Sequence, residues 1–336
     1  MTRLESLGDQ PSSLAHYSRE LLQILSDATV TEVCLQRSGE LLIERTGGWT
    51  RELAVWASVS WARQFAQLLA TASEQRVSAP QPLLSAALPT GERVQIVLPP
   101  ATWPDQVVMA IRRASSSQWS LDDLARTGVF GTAGVERDVV AESCRLADYY
   151  ASANWREFLS LAVKRRLNII VSGATGSGKT TLTKALIREI PLDERLISIE
   201  DAAELVFDRH INVARLFYSK NGQGVAQVTP KQLLEASLRL RPDRVLLAEL
   251  RGEEAYYFLR NVSSGHPGSI TSVHAGSPEL AFAQLALLIK ESQPGAELGI
   301  ADIDRLLKKT IDVIVQCERA AGIRRVARVW WRDANC

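Results

Sequence analysis

The chain has 336 residues, 46% of them hydrophobic and 23% charged, and a formal net charge of +1 from 39 basic and 38 acidic side chains. That balance gives no global reason to expect a nucleic-acid binder, which usually shows a basic face, and the length suits two ordinary domains. The four cysteines, Cys34, Cys144, Cys317 and Cys336, have no paired spacing, which argues against zinc ribbons, redox motifs and a disulfide scaffold and suits a reducing cytoplasm.

The N-terminus carries no apolar run, so no signal peptide is expected. No stretch approaches the roughly 20 apolar residues of a membrane span. "SLAHYSRELLQILSD" has helical periodicity. "VTEVCLQRSGELLIERTGGWTREL" predicts a small meander, turning at Ser38-Gly39 and near Gly47-Gly48. A helix over "WARQFAQLLATAS" follows, then a hairpin over "LLSAALPTGERVQIVLPPA" with its turn at Pro89-Thr90-Gly91. "QVVMAIRRAS" reads as a further strand and "SLDDLARTG" as a short helix capped by Ser120. These elements make residues 1–127 a small α+β domain. Residues 128–150 read as a linker of weak helical character.

From about residue 150 apolar strands alternate with helices. The strands are "LNIIVSGA", "RLISIED", "INVARLFY", "RVLLAEL", "SITSVHA", "IDVIVQC" and "RRVARVWW". Between them lie helical patterns, one of which, "TPKQLLEASLRLR", opens with Thr229 and Pro230, a good N-cap and first-turn pair. This alternation predicts an α/β domain over 151–336 with a mainly parallel sheet covered on both faces.

"GATGSGKTT", residues 173–181, matches G-x-x-x-x-G-K-[ST] and lies between an apolar strand and a helix, the context a phosphate-binding loop requires. Glycines let the backbone curl so that successive N–H groups face phosphate oxygens, and the helix adds its N-terminal dipole. The cradle comprises Gly173, Ala174, Thr175, Gly176, Ser177, Gly178, Lys179, Thr180 and Thr181. Lys179 is expected to bridge the β- and γ-phosphates, and the Thr180 hydroxyl to ligate Mg²⁺. ATP and Mg²⁺ are thus the expected cofactors.

Carboxylates come next. Strand C-termini of a parallel sheet face the ligand crevice. "RLISIEDAAELVF" puts Glu200 and Asp201 at such an end, with Glu204 shortly after, as candidates to position water or hold Mg²⁺ through water; plain surface charge is the alternative. "RPDRVLLAELRG" ends in Ala248-Glu249. Many P-loop ATPases have an aspartate before the glutamate to hold the metal; Ala248 removes that ligand, and Glu249 is a candidate general base or water-orienting group, with a solvated strand-end glutamate as the alternative. "SSGHPGSITSVHAGS" holds two of the four histidines. His274 falls at the C-terminal end of a strand, where it could sense or polarise the γ-phosphate, with packing as the alternative. His266 lies on the preceding loop, and its role stays open.

Taken together, "GATGSGKTT", "LISIEDAAELVF", "LRLRPDRVLLAELRGEEAYYF" and "SSGHPGSITSVHAGS" resemble the phosphate loop, Asp box, second nucleotide motif and His box of the secretion ATPase superfamily, in the same order. The first half, through "TEVCLQRSGELLIER" and "LPTGERVQIVLPPA", is most similar to the traffic ATPases of bacterial type IV secretion systems. The resemblance implies a RecA-like P-loop NTPase domain behind a smaller N-terminal domain. It further implies a homo-hexameric ring on the cytoplasmic face of the inner membrane, energising pilus assembly, conjugation or substrate transfer beside other components of a secretion channel. It also implies that Arg93 and Arg112, on predicted strands, approach the nucleotide from the N-terminal domain; solvated strand residues are the alternative. Arg239 and Arg241, before the Glu249 strand, are second-choice candidates from the same subunit or its neighbour. A motor for type II secretion or a type IV pilus is the runner-up, although the four-cysteine module of many such motors is missing. A nucleic-acid motor is the third reading, and the near-neutral charge argues against it.

Overall fold

The structure is a computed structural model and describes residues 13–113, 120–126, 128–130, 137–219 and 223–334. The N-terminal residues read for a signal peptide, positions 131–136 of the expected linker and Cys336 lie outside the described residues. The chain divides into two compact units, one comprising residues 1–114 with 219–228, the other 115–218 with 229–336.

In the first unit, β1 (Val30–Arg37), β2 (Glu40–Arg45), β3 (Gly48–Leu53), β4 (Leu83–Ala87), β5 (Arg93–Val97) and β6 (Val108–Arg112) make one antiparallel sheet in the order β3-β2-β1-β6-β5-β4. Helices α1 (Ser13–Tyr17), α2 (Arg19–Leu25) and α3 (Val59–Ala72) bury Leu14, Leu21, Trp61 and Phe65 against Val33, Ile43, Ile96 and Met109 of the strands. Helix α3 starts where it does because the Ser58 side chain accepts a hydrogen bond from the Trp61 N–H at 3.1 Å. Residues 219–228 belong to this unit although they come late in the chain; there the Gln227 N–H donates to the Pro80 carbonyl at 2.8 Å.

The second unit opens with α4 (Leu121–Arg126), α5 (Arg137–Ala151) and α6 (Trp155–Lys164). Ser120 caps α4 through a 3.1 Å bond from the Asp123 N–H. Much of the stretch read as a linker is therefore helix α5. Leu146, Tyr149 and Tyr150 fall on one face of it, at i, i+3 and i+4. Leu146 is buried, and the Tyr150 ring lies 5.4–5.5 Å from those of Trp155, Phe158 and Trp331. Helix α6, which carries Trp155 and Phe158, was not foreseen.

The remaining elements are β7 (Ile169–Gly173), α7 (Lys179–Ile187), β8 (Leu196–Glu200), β9 (Val213–Phe217), α8 (Pro230–Ser237), β10 (Arg244–Leu247), α9 (Glu254–Ser263), β11 (Ile270–Val273), α10 (Pro278–Glu291), α11 (Ile300–Thr310), β12 (Val313–Ala320) and β13 (Ile323–Trp331). Strands β9-β8-β10 form one parallel ladder. Strands β11-β7-β12 form another, with β13 antiparallel at its edge. The alternation of elements thus gives the parallel α/β architecture it predicted. One bridge, Leu250 to Val273, joins the two ladders. Alongside it, serine hydroxyls do the work of a backbone ladder: Ser269 Oγ donates to the Val245 carbonyl at 2.8 Å and Ser272 Oγ to the Ala248 carbonyl at 3.1 Å.

Because these strands run parallel, Gly173, Glu200, Glu249 and His274 all emerge at one edge of the sheet. At the opposite end the Arg244 guanidinium is fully buried and grips Glu194 through both oxygens, at 2.5 and 2.9 Å. An Arg–carboxylate fork of this kind satisfies both charges where water is excluded.

Candidate active site

The loop between β7 and α7 can curl only because of its glycines. Gly178 has φ +100°, in the left-handed region that other residues avoid. A Cβ on Gly173 would stand 2.4 Å from Ser177 Oγ and 2.5 Å from the Cys317 carbonyl oxygen, so nothing larger fits. Among the described residues, Ser177 Oγ is buried without a hydrogen-bond partner, and its hydroxyl is free to donate to an oxygen. Ala174, Thr175, Gly176, Thr180 and Thr181 are exposed, so the outer wall of the loop and the start of α7 are open.

Lys179 is buried under this loop. Its ammonium donates to the carbonyls of Gly173 at 2.9 Å and Ala174 at 3.2 Å, and lies 3.3 Å from His274 Nδ1. Burial pushes the Lys179 pKa down, opposed by the Glu249 carboxylate nearby. The other ring nitrogen of His274, Nε2, lies 2.7 Å from Glu249 Oε1. That contact is close but is not a formed hydrogen bond, since Oε1 has no donor aligned on it. Arg251 Nη2 grips the other oxygen, Oε2, while Arg251 Nη1 reaches Asp201 Oδ2 at 3.5 Å. Lys179, His274, Glu249, Arg251 and Asp201 therefore form one continuous chain of charge and hydrogen-bonding groups at the edge of the sheet. Burial disfavours the Arg251 charge, but the Glu249, Asp201 and Glu204 carboxylates outweigh it and raise its pKa.

His274 is held in place by its neighbour. The Ala275 carbonyl accepts from Ser172 Oγ at 3.3 Å and from Gln316 Nε2 at 3.2 Å, two side chains that are register partners on β7 and β12. Neither these residues nor Arg251 were singled out from the sequence. Arg251 had a legible signal, a cation two residues beyond the Glu249 position; Ser172 and Gln316 had none short of the strand order.

The other candidates separate. Glu200 is fully buried, and its two oxygens already accept from Ser198 Oγ, the backbone N–H groups of Glu204 and Leu205, and Arg215 Nε and Nη2, at 2.7–3.0 Å. A carboxylate so occupied has no lone pair left for a catalytic water or a hydrated metal. The catalytic expectation for Glu200 is corrected on that ground: it is a brace, tying β8 to β9 and shaping the turn that carries Glu204. Glu204 itself is exposed.

His266 lies before β11 and His274 after it, so the two histidines sit at opposite ends of that strand. Burial, then the charge of Arg241, lowers the His266 pKa. Arg239 and Arg241 precede β10, at the edge of the sheet away from Lys179, so within one chain they do not join the phosphate loop. Arg93 and Arg112 belong to the first unit, where they are exposed register partners on β5 and β6.

Comparisons with known proteins agree on a single relationship. The family described as "Type II/IV secretion system protein" matches residues 15–319. A type IV secretion system protein VirB11 of Bartonella quintana is 43% identical, over 91% of this chain and 89% of its own length. The chain belongs to the type II/IV secretion system protein family. It is a secretion ATPase. Another relative, a type IV secretion system protein VirB11 of Brucella suis, is 39% identical over 98% of this chain and 93% of its own. The crystal structure of the VirB11 ATPase from the Brucella suis type IV secretion system, in complex with sulphate, superposes with TM-score 0.90 at 38% identity, covering 96% of this chain and 95% of that one. Among the described residues of this secretion ATPase, no helix is long and apolar enough to cross a membrane.

Proposed function

We propose that this secretion ATPase hydrolyses ATP at the loop 173–181, as a homo-hexamer on the cytoplasmic face of the inner membrane, to energise a type IV secretion apparatus. The observation that carries the chemistry is the chain from Lys179 through His274 to Glu249, beside a glycine cradle that would tolerate no side chain at Gly173.

In this reading the phosphates of ATP take over the Lys179 ammonium from the Gly173 and Ala174 carbonyls. Backbone N–H groups of the loop and the dipole of α7 hold the same phosphates. Glu249 orients the attacking water and accepts its proton as attack proceeds. His274, between lysine and base, registers whether the terminal phosphate is present. The donor set suits Mg²⁺: the open Thr180 hydroxyl at the start of α7 is a hard oxygen ligand, and phosphates and water would complete the shell. When bound, the metal neutralises phosphate charge. Further cations assigned to the phosphates are Arg93 and Arg112, supported by the family resemblance alone.

The test pairs two variants of the full chain. Lys179→Ala should lose turnover and weaken nucleotide binding. Glu249→Gln should bind ATP as the parent does and hydrolyse it about a hundredfold more slowly, because the amide keeps the shape and removes the base. Parent-like hydrolysis by a folded Glu249→Gln chain would overturn the assignment.

A further inference from the structure

Strand β12 flanks β7 on the side away from β11. Their register brings Cys317 level with Gly173, the first residue of the phosphate loop. The last residues of β12 and the first of β13 therefore project past the sheet edge as a hairpin standing beside the loop. On it, Arg324 Nε donates to the Gly176 carbonyl at 3.2 Å, and the arginine stem covers Gly178 so closely that a Cβ there would meet its Cδ at 3.2 Å. Among the described residues, the two terminal nitrogens of Arg324 have no partner.

Its cross-strand neighbour is Arg319. Like charges directly opposite on a ladder are destabilising, and the rest of the hairpin avoids the problem. Arg325 pairs with Glu318 at 2.5 Å, Arg328 with Glu279 at 2.7 Å and Arg332 with Asp312 at 2.6 Å. Only Arg319 and Arg324, among the described residues of β12 and β13, are arginines without a carboxylate, and they stand next to the loop.

The site has two ends. Lys179, His274 and Glu249 lie toward β11 and β10, so a terminal phosphate bound there directs the nucleoside the other way, toward β12. We propose that Arg324, supported by Arg319, binds the nucleoside-proximal end of the nucleotide, with the free guanidinium nitrogens on the α-phosphate. This rests on reading 173–181 as the phosphate loop. Guanidinium suits the task, since it keeps its charge and presents donors in a fixed fork after one nitrogen is spent on Gly176. Arg324 is then an affinity determinant for the nucleotide, separate from the groups that act on the terminal phosphate.

The experiment is titration calorimetry on the full chain with ADP and with inorganic phosphate, each in magnesium buffer. A single phosphate can meet Lys179 but carries no second phosphate to reach Arg324. Arg324→Ala should weaken ADP about tenfold, the loss of one charge-assisted contact, and leave inorganic phosphate unchanged. Arg319→Ala should weaken ADP less, and Arg324→Lys should recover part of the loss. Unchanged ADP affinity in Arg324→Ala overturns the proposal, and so does an equal loss for both ligands, which would mean that Arg324 only shapes the loop. Lys179→Ala run alongside should weaken both ligands. If it weakens neither, the loop reading itself has failed, a result distinct from failure of the hairpin contact.

Discussion

Lys179 and His274 face each other with 3.3 Å between ammonium and Nδ1, and the far side of the same ring lies 2.7 Å from Glu249. An ammonium has only donors, so Nδ1 meets it best as the bare nitrogen, which leaves the ring proton on Nε2, the side where Glu249 lies close without an aligned hydrogen bond. The imidazole thus stands between a cation and an anion, and a phosphate that draws the lysine away removes the cation. His274→Ala should therefore lower kcat for ATP about tenfold or more while nucleotide affinity stays near that of the parent. Steady-state turnover and fluorescent-nucleotide binding check this; an unchanged kcat would make the histidine a packing residue.

Arg251 holds Glu249 by one oxygen and Asp201 with its other nitrogen. It touches no reacting atom in this account and acts by positioning the base. Arg251→Ala should cost about tenfold in kcat with little change in KM, and Arg251→Lys should restore only part, since an ammonium cannot span both carboxylates. A rise in KM alone would show instead that Arg251 binds the nucleotide.

Glu200 calls for a different measurement. Glu200→Gln removes the charge that Arg215 pairs with in a buried site, which should cost about 3 kcal/mol of stability. Chemical denaturation reads this directly. The residual activity of the folded fraction should stay near that of the parent. A stable variant with abolished turnover would return Glu200 to the catalytic list.

Burial lowers the His266 pKa from its ordinary 6.5. The folded chain then binds fewer protons than the unfolded chain below that value, so the contribution of this side chain is complete above pH 6.5 and is lost as pH falls through the lowered folded pKa. Thermal melts between pH 7.5 and 5.5 should show the parent losing more than His266→Gln. Parallel curves for the two would contradict the burial argument.

The alternation of strands and helices was legible because the inner strands of the second unit, β7, β8, β10 and β11, are buried along their whole length and read as largely apolar runs, as in "RVLLAEL". The phosphate loop was legible because its chemistry is local, all within residues 173–181. Two things were hidden. Among the described side chains of helix α5, Leu146, Tyr149 and Tyr150 carry the apolar stripe, and the partners that make it bury, Phe158 and Trp331, lie elsewhere in the chain. The fate of Glu200 depends on the parallel register of β8 and β9, which sets Ser198 opposite Arg215 and brings the guanidinium onto the carboxylate. No local pattern announces that pairing. The serine-rich stretch "SSGHPGSITSVHAGS" was read for its histidines. Two of its serines turn out to join β11 to β10.

Those two hydroxyls bear on mechanics as well as on architecture. The second unit has two ladders, joined among the described residues by one backbone bridge, the two serine hydroxyls and, at 3.5 Å, Arg244 Nη1 on the Gly268 carbonyl. Lys179 and His274 ride on one ladder, and Glu249 and Arg251 extend from the other. If the two ladders part along this join, Glu249 moves away from Lys179 while each ladder stays whole, and the proposed base is separated from the phosphate loop.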